Sequence, residues 1–83
     1  MLRKEVYENL QEIIRDVFDD EEIIISENTV ADDIAGWDSF MHITLMGTIE
    51  DEFNVRFPME KLASIKNVGD IINLILEQKG ENS

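Results

Sequence analysis

Three residues with usable chemistry stand close together: Asp38, Ser39 and His42, in the stretch Gly36-Trp37-Asp38-Ser39-Phe40-Met41-His42. A carboxylate, a hydroxyl and an imidazole so placed admit two kinds of chemistry. One is nucleophilic catalysis, with His42 taking the proton of Ser39 and Asp38 orienting the ring, since side chains three apart on a helix can meet. Against it, the stretch has no Gly-x-Ser-x-Gly elbow and no evident oxyanion hole, and so small a chain offers no enclosing pocket. The other is covalent attachment. Before Ser39 lies an acidic segment with few helix signals, and after it Phe40, Ile43, Met46, Ile49 and Phe53 recur at helical spacing. The serine therefore sits where a loop turns into a helix. Asp and Ser both suit a helix start, because a side-chain oxygen accepts from an unpaired backbone N–H. A phosphate ester on Ser39 would lie in the field of a helix N-terminus, which favours negative charge. Capping and attachment use the same geometry, and both can hold.

These residues resemble the attachment site of the acyl carrier protein family, whose members carry 4'-phosphopantetheine on a serine in an Asp-Ser-Leu motif opening the second helix. Here the motif reads Asp38-Ser39-Phe40, with Phe in place of Leu. The resemblance extends over nearly the whole chain, through Ile49-Glu50-Asp51-Glu52-Phe53, the Phe57-Pro58 turn and Ile65-Lys66-Asn67-Val68-Gly69-Asp70, in order and at fitting distances. It implies a non-catalytic carrier. A separate phosphopantetheinyl transferase, using coenzyme A and Mg²⁺, would load Ser39 with Asp38 in support, and cargo would ride on the arm as a thioester. Fatty acyl, polyketide, aminoacyl or peptidyl and sugar-modifying cargoes all share this scaffold. The reading from another class is an unmodified acidic helical module that binds one partner.

Composition bounds what remains. The chain has 83 residues, 43% of them hydrophobic, which fits one small domain over residues 1–83 and not a disordered chain. Nineteen acids against seven bases give a net charge of -12. Such a field repels nucleic acid and anionic membranes and attracts basic protein faces. There is no cysteine, so any thiol must come from an added group, as a pantetheine arm would supply. No apolar run is long enough to span a bilayer, and the first residues lead straight into a charged helix. A cytoplasmic monomer is the expectation.

Residues 3–18 read as an amphipathic helix with Val6, Leu10, Ile13, Ile14, Val17 and Phe18 on one stripe. Residues 19–38 carry eight acids (Asp19, Asp20, Glu21, Glu22, Glu27, Asp32, Asp33 and Asp38) and no Lys or Arg. They read as a long loop pinned by Ile23, Ile24, Ile25, Val30 and Ile34, with a turn of helix near residues 30–34. The acids lack the alternation and glycine of a calcium loop, so no dedicated metal site is expected. Crowded like charges predict carboxyl groups shifted upward, and greater stability at mildly acidic pH than at neutrality.

Residues 39–53 form the second long helix. A helical wheel puts Ile43, Met46, Ile49 and Phe53 toward the core with Leu45 at the edge, and turns Phe40, Met41, Thr44, Gly47, Thr48, Asp51 and Glu52 outward. His42 falls toward the core face near the helix top. Apolar Phe40 and Met41 beside the serine are candidate partner-binding residues, with Trp37, Thr44, Glu50, Asp51 and Glu52. In the family, acids along this helix dock onto Lys and Arg of partner enzymes. Here the two nearest the serine align with Met41 and Thr44, so the acyl-loading and acyl-using partners should present mixed basic and apolar faces. Trp37 either plugs the loop against the bundle or meets partners. Residues 59–62 read as a short helix after Pro58, and residues 68–79 as the last helix, with Asn67 as N-cap, Asp70 in the capping-box position and Gly80 as the stop. The fold class is an all-α, acyl-carrier-like bundle of three main helices plus one short one, with residues 81–83 frayed.

Overall fold

The computed structural model describes residues 2–80. The predicted tail at 81–83 lies outside the described residues. Among those described, three long helices and one short one follow in order: α1 (Arg3–Phe18), α2 (Ser39–Phe53), α3 (Met59–Leu62) and α4 (Val68–Lys79), with a single 3₁₀ turn at Ala31–Asp33 in the long loop. The boundaries coincide with the helical spacing. Val6, Leu10, Ile13 and Ile14 of α1 enter the core, with Val17 and Phe18 partly buried against it. They meet Leu45, Met46, Ile49 and Phe53 of α2 and Val68, Ile71, Ile72, Ile75 and Leu76 of α4. Helix α1 packs on both α2 and α4.

Each helix end has a physical stop. Asp19, at φ 52°, and Asn54, at φ 56°, close α1 and α2 in the left-handed conformation that a short polar side chain tolerates. Gly80, at φ 79°, donates its N–H to the Leu76 carbonyl at 2.8 Å. At the start of α4, Asn67 Oδ1 accepts from Asp70 N at 2.9 Å. Asp70 reaches back one residue further than a standard capping box, its carboxylate accepting from Lys66 N at 2.8 Å.

The long loop is held by polar as well as apolar contacts. Arg3, Tyr7, Gln11 and Arg15 recur every four residues along α1 and so share one face. In turn they engage Glu27, the Ile25 carbonyl, the Ile25 N–H at 2.9 Å and the Ile23 carbonyl at 2.7 Å. The loop thus runs antiparallel to the helix, its backbone groups satisfied by side chains. At its far end it caps α4, with Val68 N and Gly69 N donating to the Thr29 and Glu27 carbonyls at 2.9 and 2.8 Å. A Cβ on Gly69 would lie 3.1 Å from that Glu27 oxygen, a tight contact that the glycine avoids.

Three sequence expectations are corrected. Of the loop aliphatics, Ile25 and Ile34 are buried and Ile23 partly so, but Ile24 is 80% exposed and Val30 is also exposed. In α2 the buried seam is Leu45, Met46, Ile49 and Phe53, while Ile43 is 72% exposed. Met41, expected to point outward, is half-buried. The reason is common to the last two. Helix α2 carries apolar side chains on both sides, so spacing alone does not mark the side that α1 covers.

Candidate functional site

The site is built by a turn. Gly36 takes φ 87°, a conformation that costs glycine nothing and other residues strain. Asp38 N then donates to the Gly36 carbonyl at 3.0 Å, and the chain reverses into α2. Asp38 becomes the N-cap: its Oδ1 accepts from Met41 N at 2.9 Å and its carbonyl from His42 N at 2.8 Å. Ser39, the first helical residue, is exposed, as are Asp38 and Phe40. The serine hydroxyl is thus open to solvent at a helix start whose outward N–H groups suit a phosphate ester. The residues present therefore fit a phosphate-linked arm on Ser39.

The same turn folds Trp37 inward. Its ring lies 5.6 Å from that of Phe18 on α1 and 6.0 Å from the imidazole of His42, at 27° to the latter. Its indole Nε1–H donates to His42 Nδ1 at 3.1 Å. A Ser–His–Asp relay is therefore not assembled, because the Asp38 carboxylate serves the helix cap and the His42 Nδ1 is taken by Trp37. Trp37 plugs the loop against α1 while one side remains open: with Ala31, Asp38, Ser39, His42 and Ile43 it lines a shallow groove of about 440 Å³. Ala31 and Ile43 were not legible as site residues. The helical wheel turns Ile43 toward the core, and Ala31 arrives only through the loop's course.

The outward face of α2 runs from Phe40, 74% exposed, through Ile43 to Thr44, Gly47 and Asp51. Thr44 and Thr48 donate their hydroxyls back to the Phe40 and Thr44 carbonyls at 3.1 and 3.0 Å, which lessens the polarity they present. Glu50 has work inside the fold: its carboxylate accepts from Phe57 N at 2.7 Å, holding the segment after α2. Asp51 and Glu52 are exposed. Among the loop acids, Glu27 is held below its ordinary value by the hydrogen bond from Arg3, as expected of a carboxylate that pairs with a base. No helix among the described residues is long and apolar enough to cross a membrane.

Comparison with known proteins agrees with this geometry. The family model described as a phosphopantetheine attachment site matches residues 8–75. An acyl carrier protein of Clostridium acetobutylicum is 34% identical, over 84% of this chain and 91% of its own. One from Rickettsia bellii is 37% identical, over 83% and 89%. The solution structure of a holo acyl carrier protein from Geobacter metallireducens superposes with a TM-score of 0.81 at 31% identity, covering 94% of this chain and 95% of that one. The chain belongs to the acyl carrier protein family, non-catalytic helical carriers of a covalently attached 4'-phosphopantetheine.

Proposed function

We propose that Ser39 is the attachment residue, and that the chain is the substrate of a phosphopantetheinyl transferase in the cytoplasm. The observation that carries this reading is the exposed Ser39 at the first position of α2, behind an N-cap made by Asp38. In the transfer, Ser39 Oγ forms a bond to the pantetheine-side phosphorus of coenzyme A as the pyrophosphate bridge breaks. Adenosine 3',5'-bisphosphate leaves, and the serine proton passes to a base or water of the transferase. Asp38 stands beside the hydroxyl, where its carboxylate can meet the transferase's Mg²⁺. The arm then supplies the thiol that the sequence lacks, and cargo is carried as its thioester.

Partner enzymes meet this carrier on the outward face of α2. The residues in that role are Phe40, Ile43 and Thr44 near the serine and Asp51 and Glu52 at the far end. Trp37 and Met41 contribute through their half-exposed edges, and Glu50 steadies the face from within. Such a face suits a partner with an apolar centre and a basic rim, which differs from a row of acids meeting a row of bases.

Loading tests the assignment. Incubated with coenzyme A, Mg²⁺ and a broad-specificity transferase, the wild-type chain gains the mass of one phosphopantetheine and the Ser39→Ala chain gains none. Helicity of the variant stays near wild type, because Asp38 still caps. A Ser39→Ala chain that takes up the group, or a wild-type chain that does not, overturns the reading.

A further inference from the structure

We propose that the groove beside Ser39 holds the neutral pantoyl segment of the attached arm, with His42 Nε2–H as the hydrogen-bond donor that receives it. This rests on attachment at Ser39. Three features of the groove carry the inference.

The first is continuity. Ser39 itself lines the groove together with Ala31, Trp37, His42 and Ile43, so whatever is esterified to its hydroxyl starts at the groove. Tethering replaces a bimolecular encounter with a local concentration in the millimolar range, so even weak contacts populate a bound arm. The volume of about 440 Å³ falls within the range of small-molecule sites.

The second is the chemistry of the walls. Trp37, Ala31 and Ile43 are apolar, and Ile43 is left 72% exposed. Asp38 supplies a carboxylate at the rim, and the whole chain carries -12. A phosphate is disfavoured inside such a groove and favoured at the helix N-terminus outside it. The next segment of the arm is different: a carbon with two methyl groups, a hydroxyl and an amide, all neutral. It offers apolar surface to the walls and an acceptor oxygen to a donor.

The third is a lining histidine of defined tautomer. An indole N–H can only donate, so the nitrogen it meets must be a lone pair. The bond from Trp37 Nε1 to His42 Nδ1 at 3.1 Å therefore puts the proton of the neutral ring on Nε2. Trp37 is itself braced by Phe18 of α1, so the ring orientation is backed by the bundle. Trp37 is thus a positioning residue that acts through His42.

The test uses holo protein, isotope-labelled in the polypeptide and loaded with an unlabelled arm from coenzyme A. Intact mass first reports whether the arm is attached. Isotope-filtered NMR then reads contacts from the arm's geminal methyl protons, and imidazole ¹⁵N shifts read the His42 tautomer. Contacts to the Trp37 ring and the Ile43 methyls are expected, with His42 Nδ1 unprotonated and its Nε2 signal moving on loading. In Trp37→Phe, which keeps the aromatic wall and loses the N–H, His42 becomes a mixture of tautomers and the contacts to the Ile43 methyls weaken as the Nε2–H donor loses its fixed orientation. Ile43→Ser, at an exposed position, weakens them with the tautomer unchanged and so guards against a folding defect in the first variant. A loaded chain whose arm keeps the narrow lines of free coenzyme A, or whose contacts come only from an attached acyl chain or a partner, overturns the groove proposal and leaves attachment standing. A chain that gains no mass overturns both.

Discussion

Asp38 does two jobs that separate by substitution. Its Oδ1 satisfies Met41 N at 2.9 Å, and in the proposed function its charge supports loading of the neighbouring Ser39. Removing an N-cap carboxylate costs about 1 kcal/mol, which lowers Tm by about 4–8 °C in a domain this size. Asp38→Ala should show that loss in a thermal melt and should also load slowly. Asp38→Asn keeps an acceptor oxygen, so its Tm should stay near wild type while the loading rate falls. An Asn variant that loads at the wild-type rate would show that the charge serves the cap alone. Asp38 and Ser39 were legible from the sequence because capping chemistry is local. The bond between Trp37 and His42 was not, since it depends on the positive φ of Gly36 and on Phe18, nineteen positions before Trp37, offering a surface to lean on.

Helix α2 shows where periodicity runs out. Its limits, Ser39–Phe53, were readable from a capping pair at one end and the loss of spacing at the other. Its orientation was not, because Phe40 and Ile43 make the outer face as apolar as parts of the inner one. The excess apolar surface is itself informative, since burial inside this chain does not explain it. Gly47 adds to that. A Cβ built there meets nothing within 4 Å, so the fold has no need of a glycine. Gly47→Ala should therefore raise stability by about 0.5–1 kcal/mol, read as a higher Tm. If a partner helix approaches α2 closely at this point, the same change should slow turnover by enzymes that use the loaded carrier. Ile43→Glu should change Tm little, within about 0.5 kcal/mol as for other exposed positions, yet reduce that turnover sharply. A large fall in Tm with turnover intact would mean that Ile43 is packed. The polar face of α1 went unread for a related reason. Arg3, Tyr7, Gln11 and Arg15 look like a solvated stripe until the loop lies along it.

Charge acts at the scale of the whole molecule. With nineteen acids and seven bases, compaction brings like charges together, and added salt should raise Tm at neutral pH by screening them. One clasp runs the other way. Arg3 donates to both oxygens of Glu27, at 2.8 and 2.5 Å, and to Asn73 Oδ1 at 2.8 Å, so it joins α1, the long loop and α4. The hydrogen bond from Arg3 is the main reason that the Glu27 carboxyl sits below its ordinary value of 4.5, its charge adding to the effect and slight desolvation opposing it. The sign follows from linkage. A carboxyl whose folded pKa is depressed stabilises the fold in full above its unfolded pKa and loses that contribution as pH falls through the folded one. The pair is partly exposed, so its worth is bounded at about 1 kcal/mol. Glu27→Gln should lower Tm by a constant amount between about pH 7 and about pH 5, and the gap should narrow as pH falls on through the depressed folded value, where the wild-type carboxylate is itself protonated. Salt should narrow the gap at neutral pH while raising both melting temperatures, because it weakens the one attraction and the many repulsions together. A gap that widens on acidification would place Glu27 among the crowded acids and outside the reach of Arg3.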